Sequence, residues 1–196
     1  MTEDSALAGI SSQEAWEGFN AELPDLLNQL VTAKPSNAEV PPTSLDRGIY
    51  LFSDETEDLY VGRTGVTARS RILGKLPSTS FAVRWNQHTN PGSSPNSAPF
   101  AMKLAHELAA CFNVMVPSDL KQAGIIGKTG EWWSLRKQPT PPDFYLAFQE
   151  AKRFIREDLN FRYVSLVDDD RGVRSHVAEV YADVILQTTY GDFSPS

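Results

Sequence analysis

Two tyrosines lie in a strand–turn–strand pattern near the middle of the N-terminal half of the chain. Residues 48–52 read Gly-Ile-Tyr-Leu-Phe and residues 59–62 read Leu-Tyr-Val-Gly, and the polar segment between them predicts a β-hairpin. Strand alternation places Tyr50, Tyr60 and Gly62 on one face. Phenol hydroxyls can move protons in acid–base catalysis, and a glycine lets a bulky group approach closely. Tyrosine is also a common strand residue, so simple packing is the alternative interpretation.

An arginine and a histidine follow the hairpin. The best helix after it is predicted over residues 78–88, where Arg84 and His88 lie one turn apart. A planar guanidinium can stabilise the charge that builds on phosphoryl oxygens. Arg71 lies in the less helical segment 65–79 and is the alternative to Arg84 for this role. His88 could relay a proton, bind phosphate or satisfy the last carbonyls of its helix.

One glutamate on a predicted C-terminal helix could hold a metal ion. Residues 175–187 are apolar over most of the helix circumference, which predicts a largely buried element. Its polar strip contains His176, Glu179, Asp183 and Gln187. Since Mg²⁺ often takes one or two protein carboxylates and keeps its waters, Glu179 could suffice. The alternative is that the strip faces water.

The hairpin motifs are similar to those of a known superfamily. Gly48-Ile49-Tyr50 and Tyr60-Val61-Gly62, with nine residues between the two tyrosines, resemble the signature of the GIY-YIG nuclease superfamily. The extension Arg63-Thr64 is similar to many bacterial members. Together with the later elements, the resemblance covers residues 47–193.

This resemblance implies a metal-dependent endonuclease that cuts phosphodiester bonds in nucleic acid. The implied catalytic residues are Tyr50, Tyr60, Arg84, His88 and Glu179. Tyr50 would be the general base, Tyr60 would orient the phosphate or water, and Glu179 would hold Mg²⁺ or Mn²⁺. Relatives often carry Asn near the position of Gly191, so a catalytically degenerate domain that binds nucleic acid or protein is the second interpretation.

Charge is strongly segregated along the chain. The formal net charge is -7, which taken alone argues against a nucleic-acid partner. Residues 59–106, however, contain no Asp or Glu and carry +6, which leaves -13 for the remainder. A basic patch of this kind is typical of a phosphate-binding cleft. For the partner, the nuclease interpretation favours DNA over RNA. The predicted nucleic-acid contacts are Gly62, Arg63, Arg69, Arg71 and Lys75.

The sequence predicts an α+β fold, in which a small antiparallel three-stranded sheet is flanked by helices. The predicted strands are 48–52, 59–62 and 161–166. The hairpin face opposite the tyrosines is expected to pack on a core through Ile49, Leu51, Leu59 and Val61. A helical elaboration is expected at about residues 98–157.

Two units are predicted along the chain. Residues 1–45 form a helical extension and linker, with the helix broken at Pro24, and residues 46–196 form the nuclease-like domain. The N-terminal helices could make a homodimer or bind a protein partner. Because the sequence has no apolar run of about 18 residues and no signal pattern at its start, we expect no membrane contact and a cytoplasmic location.

Overall fold

Three antiparallel strands form the centre of the molecule. The structure, a computed structural model, describes residues 12–64, 80–93, 98–111, 142–166, 173–191 and 193. Its elements in chain order are α1 (Ser12–Thr32), β1 (Gly48–Ser53), β2 (Asp58–Arg63), α2 (Phe81–Thr89), α3 (Pro99–Cys111), α4 (Pro142–Asp158), β3 (Asn160–Ser165) and α5 (Val173–Leu186). The sheet order is β2-β1-β3, so β1 lies in the middle. The predicted α+β fold with a small antiparallel sheet is confirmed.

Helices cover both faces of the sheet. On one face, which we call the aliphatic face, α1 and α5 form a core whose buried members are Phe19, Leu23, Leu30, Ile49, Leu51, Val61, Ala178 and Ala182. On the other, which we call the tyrosine face, α2, α3 and α4 form a larger core that includes Tyr50, Phe52, Tyr60, Phe81, Trp85, Phe100 and Phe148. The sheet is therefore a middle layer between two layers of helices.

The first helix is continuous, so the predicted break at Pro24 is wrong. Phe19 and Leu23 before the proline and Leu30 after it are all buried. Burying each such side chain stabilises the fold by about 1.5–3 kcal/mol. Together, the three buried side chains offset the roughly 3 kcal/mol that an interior proline costs a helix. The proposed boundary after residue 45 stays a prediction, although α1 shares its core with the sheet.

An irregularity in the hairpin corrects one predicted side-chain orientation. Phe52 pairs with Tyr60, but the next residue, Ser53, pairs with Asp58, so the ladder skips Leu59. Such a bulge interrupts strand alternation. Leu59 consequently packs in the core of the tyrosine face rather than the aliphatic face for which it was predicted.

Loop backbone pairs with both outer edges of the sheet. At β3, Ser36 exchanges two hydrogen bonds of 2.8 Å with Phe161. At β2, the N–H of Tyr190 donates to the carbonyl of Leu59 at 2.8 Å. These contacts shield the edges and fix the segment after α5 against β2.

Among the helices that the structure describes, none has the length and apolar character needed to cross a membrane.

Candidate active site

The Tyr50 phenol lies directly over Gly62. The two residues are partners in the β1–β2 ladder. A Cβ at Gly62 would lie 2.5 Å from both Cζ and the hydroxyl oxygen of Tyr50, and 2.8 Å from Cε1 of Tyr60. Carbon atoms normally approach to about 3.5–4.0 Å, so only glycine fits here. The chain thus holds two phenols against bare backbone, with their ring centroids 6.3 Å apart.

His88 on α2 contacts the Tyr50 phenol from the helix side. Its Nε2 lies 3.3 Å from the Tyr50 hydroxyl, and the histidine is fully buried. Burial lowers the pKa of His88 well below 6.5, and the nearby charges of Arg84 and Lys152 lower it further. The imidazole is therefore neutral at pH 7, with one donor and one acceptor nitrogen. Because the ring bonds to Tyr50, the interpretation of His88 as a cap for its own helix is wrong.

Arg84 lies one turn before His88 and faces partly into the protein. Its Nη1 donates to Oε1 of Gln87 at 3.0 Å. Arg84 Nε and His88 Nδ1 are both buried, and neither has a hydrogen-bond partner within the described part of the chain. Buried donors without partners are costly. The structure brings Arg84 beside His88, and the alternative arginine, Arg71, lies outside the described residues, as do Arg69 and Lys75.

Glu179 lies on the other side of the sheet. Its Oε2 accepts from Nε of Arg63 at 2.8 Å and lies 3.5 Å from Nδ1 of His176. Arg63 is the last residue of β2 and follows Gly62, so alternation sends its side chain to the aliphatic face, where α5 packs. The Glu179 side chain is 14% exposed and that of Arg63 is 32% exposed. The polar strip of α5 thus points inward at Glu179 rather than into water.

The predicted residues therefore form two groups that meet at the end of β2. Tyr50, Tyr60, Gly62 and His88 cluster on the tyrosine face, whereas the hydrogen bonds of Glu179 in the described structure go to Arg63 and His176 and not to a phenol. Consecutive residues, Gly62 and Arg63, join the two groups. The convergence of both phenols, the arginine and the carboxylate on one pocket stays a prediction.

Among the described residues, Glu179 is the metal ligand that the sequence predicts. Within the ranges described, the structure has no group of three or more His, Cys, Asp or Glu side chains that could hold one. Both contacts of Glu179 are made by Oε2, so Oε1 can bind a metal or one of its waters. A single carboxylate with retained waters suits Mg²⁺ or Mn²⁺. The residues fit such an ion, with Arg63 as a competitor for the same carboxylate.

Asp183 explains why glycine occupies position 191. Asp183 is 1% exposed, and it accepts hydrogen bonds from the Thr188 hydroxyl and, at 2.7 Å, from the backbone N–H of Phe193. A Cβ at Gly191 would overlap the Asp183 carboxylate. An Asn at this position would therefore collide with Asp183, whose role in this fold is to hold the tail after α5.

The helix α5 is only partly buried. Ile185 on this helix is 54% exposed, so the prediction of a largely buried helix is wrong.

Two buried lysines support the tyrosine face, and neither was predicted as a site residue. Lys103 on α3 lies 5.6 Å from the ring centroid of Tyr60 and donates to the carbonyl of Tyr190 at 2.6 Å. Lys152 on α4 donates to the carbonyls of Asn90 and Ser93, in the turn that follows His88. Burial lowers the pKa of Lys152 to about 8. The acid-free window was a signal for Lys103, whereas the sequence has no comparable signal for Lys152.

In comparison with known proteins, no family model matches this sequence, and no significant match is found among curated proteins or solved structures. The resemblance to GIY-YIG nucleases therefore depends on the sequence motifs, and what it implies about activity is a proposal.

Proposed function

We propose that this protein is a metal-dependent endonuclease that hydrolyses phosphodiester bonds in nucleic acid, with DNA favoured over RNA. The observation that carries the proposal is the Tyr50 phenol, held between the bare backbone of Gly62 and a neutral histidine, with Nε2 of His88 3.3 Å away. A buried phenol–imidazole pair of this kind is suited to moving a proton. The cytoplasmic location expected from the sequence is part of the same proposal.

Each side chain has a distinct task in the proposed hydrolysis. The Tyr50 hydroxyl passes its proton to Nε2 of His88, and its oxygen takes a proton from the attacking water. The tyrosine–histidine pair therefore holds one extra proton, which it later releases to solvent. Tyr60, packed flat against Phe100 at 5.0 Å between centroids, orients the phosphate or the water. Arg84 stabilises the phosphoryl charge. A divalent ion held by Glu179 would supply further positive charge to the phosphoryl oxygens.

The test compares cleavage by the wild type with cleavage by Glu179→Gln. Supercoiled plasmid, duplex DNA, single-stranded DNA and RNA are incubated with Mg²⁺ or Mn²⁺, and products are resolved on gels. Glu150→Gln is the matched control, because Glu150 is a glutamate on the surface of α4 that pairs with Arg153. We expect cleavage by the wild type and the control and none by Glu179→Gln. Equal cleavage by all three proteins would remove the assignment of the metal to Glu179, and no cleavage by the wild type would remove the proposed enzyme.

A specific observation favours a second candidate, a domain that binds nucleic acid without cutting it. Tyr50 is 1% and Tyr60 3% exposed, and the charge of Glu179 is compensated by Arg63. Such a domain would bind labelled DNA in the presence of metal and cleave none of the four substrates. That outcome of the same assay would favour the second candidate over the enzyme.

A further inference from the structure

We propose that Arg63 closes the metal site by occupying Glu179 and that a nucleic-acid phosphate opens it by drawing the guanidinium away. This inference rests on the proposed function, since it concerns the regulation of the same site. It predicts that metal and nucleic acid bind cooperatively, each favouring the binding of the other.

The geometry makes Arg63 and a metal competitors for one carboxylate. Arg63 Nε donates to Oε2 of Glu179 at 2.8 Å, a charge-assisted hydrogen bond that covers half of the carboxylate. Nδ1 of His176 approaches the same oxygen at 3.5 Å. A divalent cation at Oε1 would lie a few ångströms from the guanidinium, and like charges at that separation repel strongly where water is partly excluded. The Glu179 side chain is 14% exposed, so screening by solvent is limited.

The position of Arg63 gives it access to a second anion. Its side chain is 32% exposed, more than twice the value for Glu179, so one side of the guanidinium reaches solvent. Arg63 also follows Gly62, the residue against which both phenols pack. The planar fork of a guanidinium matches phosphate as well as it matches carboxylate. A phosphate arriving at the end of β2 can therefore take over Arg63 and leave Glu179 to the metal.

Binding of Mn²⁺ to the full chain tests this competition without any need for activity. Isothermal titration calorimetry measures the dissociation constant of Mn²⁺ for the wild type and for Arg63→Gln. We expect Arg63→Gln to bind Mn²⁺ about tenfold more tightly, within the range of typical coupling free energies. A phosphorothioate DNA duplex, with its own Mn²⁺ binding subtracted, is expected to tighten Mn²⁺ binding by the wild type and to have little effect on Arg63→Gln.

Arg174→Gln is the matched control. Arg174 is 35% exposed, lies on the same helix as Glu179 and pairs with Glu22 at 3.6 Å, so its removal changes the net charge equally. We expect its Mn²⁺ affinity to equal that of the wild type. Equal affinities in all three proteins would overturn the inference while leaving a metal site intact. If neither the wild type nor Arg63→Gln binds Mn²⁺, the metal site itself is absent and the proposed function fails with it.

Discussion

Replacing Gly62 with alanine tests whether the packing of Tyr50 and Tyr60 requires a residue without a side chain at this position. The new methyl group would lie 2.5 Å from the Tyr50 hydroxyl, about 1 Å inside the normal contact distance. The phenols cannot move easily, because Tyr50 packs on Phe161 with 5.3 Å between ring centroids and Tyr60 stacks on Phe100. Strain in a packed core costs about 1–3 kcal/mol.

The same shift would break the Tyr50–His88 hydrogen bond. At 3.3 Å this bond is already long, and a buried polar group that loses its partner costs a further 1–3 kcal/mol or so. The total for Gly62→Ala is therefore about 2–6 kcal/mol. For a chain of this size each kcal/mol lowers the melting temperature by about 2–4 °C, so we expect it to fall by roughly 4–24 °C.

Chemical denaturation measures the free energy of unfolding, with Gly18→Ala as the control. Gly18 lies within α1, and a Cβ there would meet nothing within 4 Å. An alanine in the interior of a helix is more stable than a glycine by about 0.5–1 kcal/mol. The two substitutions should therefore have opposite signs. A Gly62→Ala protein within about 0.5 kcal/mol of the wild type would refute the packing described around Tyr50.

Three further substitutions address other parts of the structure. Gly191→Asn should destabilise the fold by at least about 1–3 kcal/mol in urea denaturation, because its side chain overlaps Asp183; unchanged stability would contradict that contact. Burial depresses the pKa of His88 below 6.5, so the neutral ring contributes fully to the free energy of unfolding above pH 6.5. This contribution is lost as the pH falls toward the folded pKa, by up to roughly 1.4 kcal/mol per pH unit. We expect the melting temperature, measured between about pH 4 and pH 7, to depend less steeply on pH in His88→Gln than in the wild type. Equal pH dependence in the two proteins would exclude a neutral buried ring. Leu30→Ala should cost about 2–5 kcal/mol, since Leu30 is fully buried in the core of the aliphatic face; a near-neutral effect by calorimetry would mean that α1 is not part of that core.

Local patterns were sufficient to predict the sheet and much of the tyrosine face. Alternation in the hairpin placed Tyr50, Tyr60 and Gly62 together, because consecutive strand residues point to opposite faces. Helical spacing placed Arg84 and His88 one turn apart on the helix that the structure caps at Ser80. These features depend on short stretches of sequence, so they could be inferred without knowledge of the tertiary fold.

Contacts between distant segments could not be predicted in the same way. Arg63 and Glu179 are separated by 116 positions, and their pairing depends on α5 packing on the aliphatic face at β2. The fit between Asp183 and Gly191 depends on how the tail turns back after α5. Leu59 faces the tyrosine side because of a bulge that the pattern of apolar residues does not reveal. In each case a three-dimensional contact overrides the local pattern.

The most direct test of the central claim is the single-turnover cleavage rate of Tyr50→Phe at saturating Mg²⁺. This substitution keeps the buried ring, which packs against Phe52, Tyr60 and Phe161, and removes only the hydroxyl that contacts His88. Tyr145→Phe, a change at an exposed tyrosine of α4, is the control. We predict that Tyr50→Phe lowers the rate by about 10²–10⁴-fold while the control cuts like the wild type. Equal rates for all three proteins would show that this phenol takes no part in the chemistry.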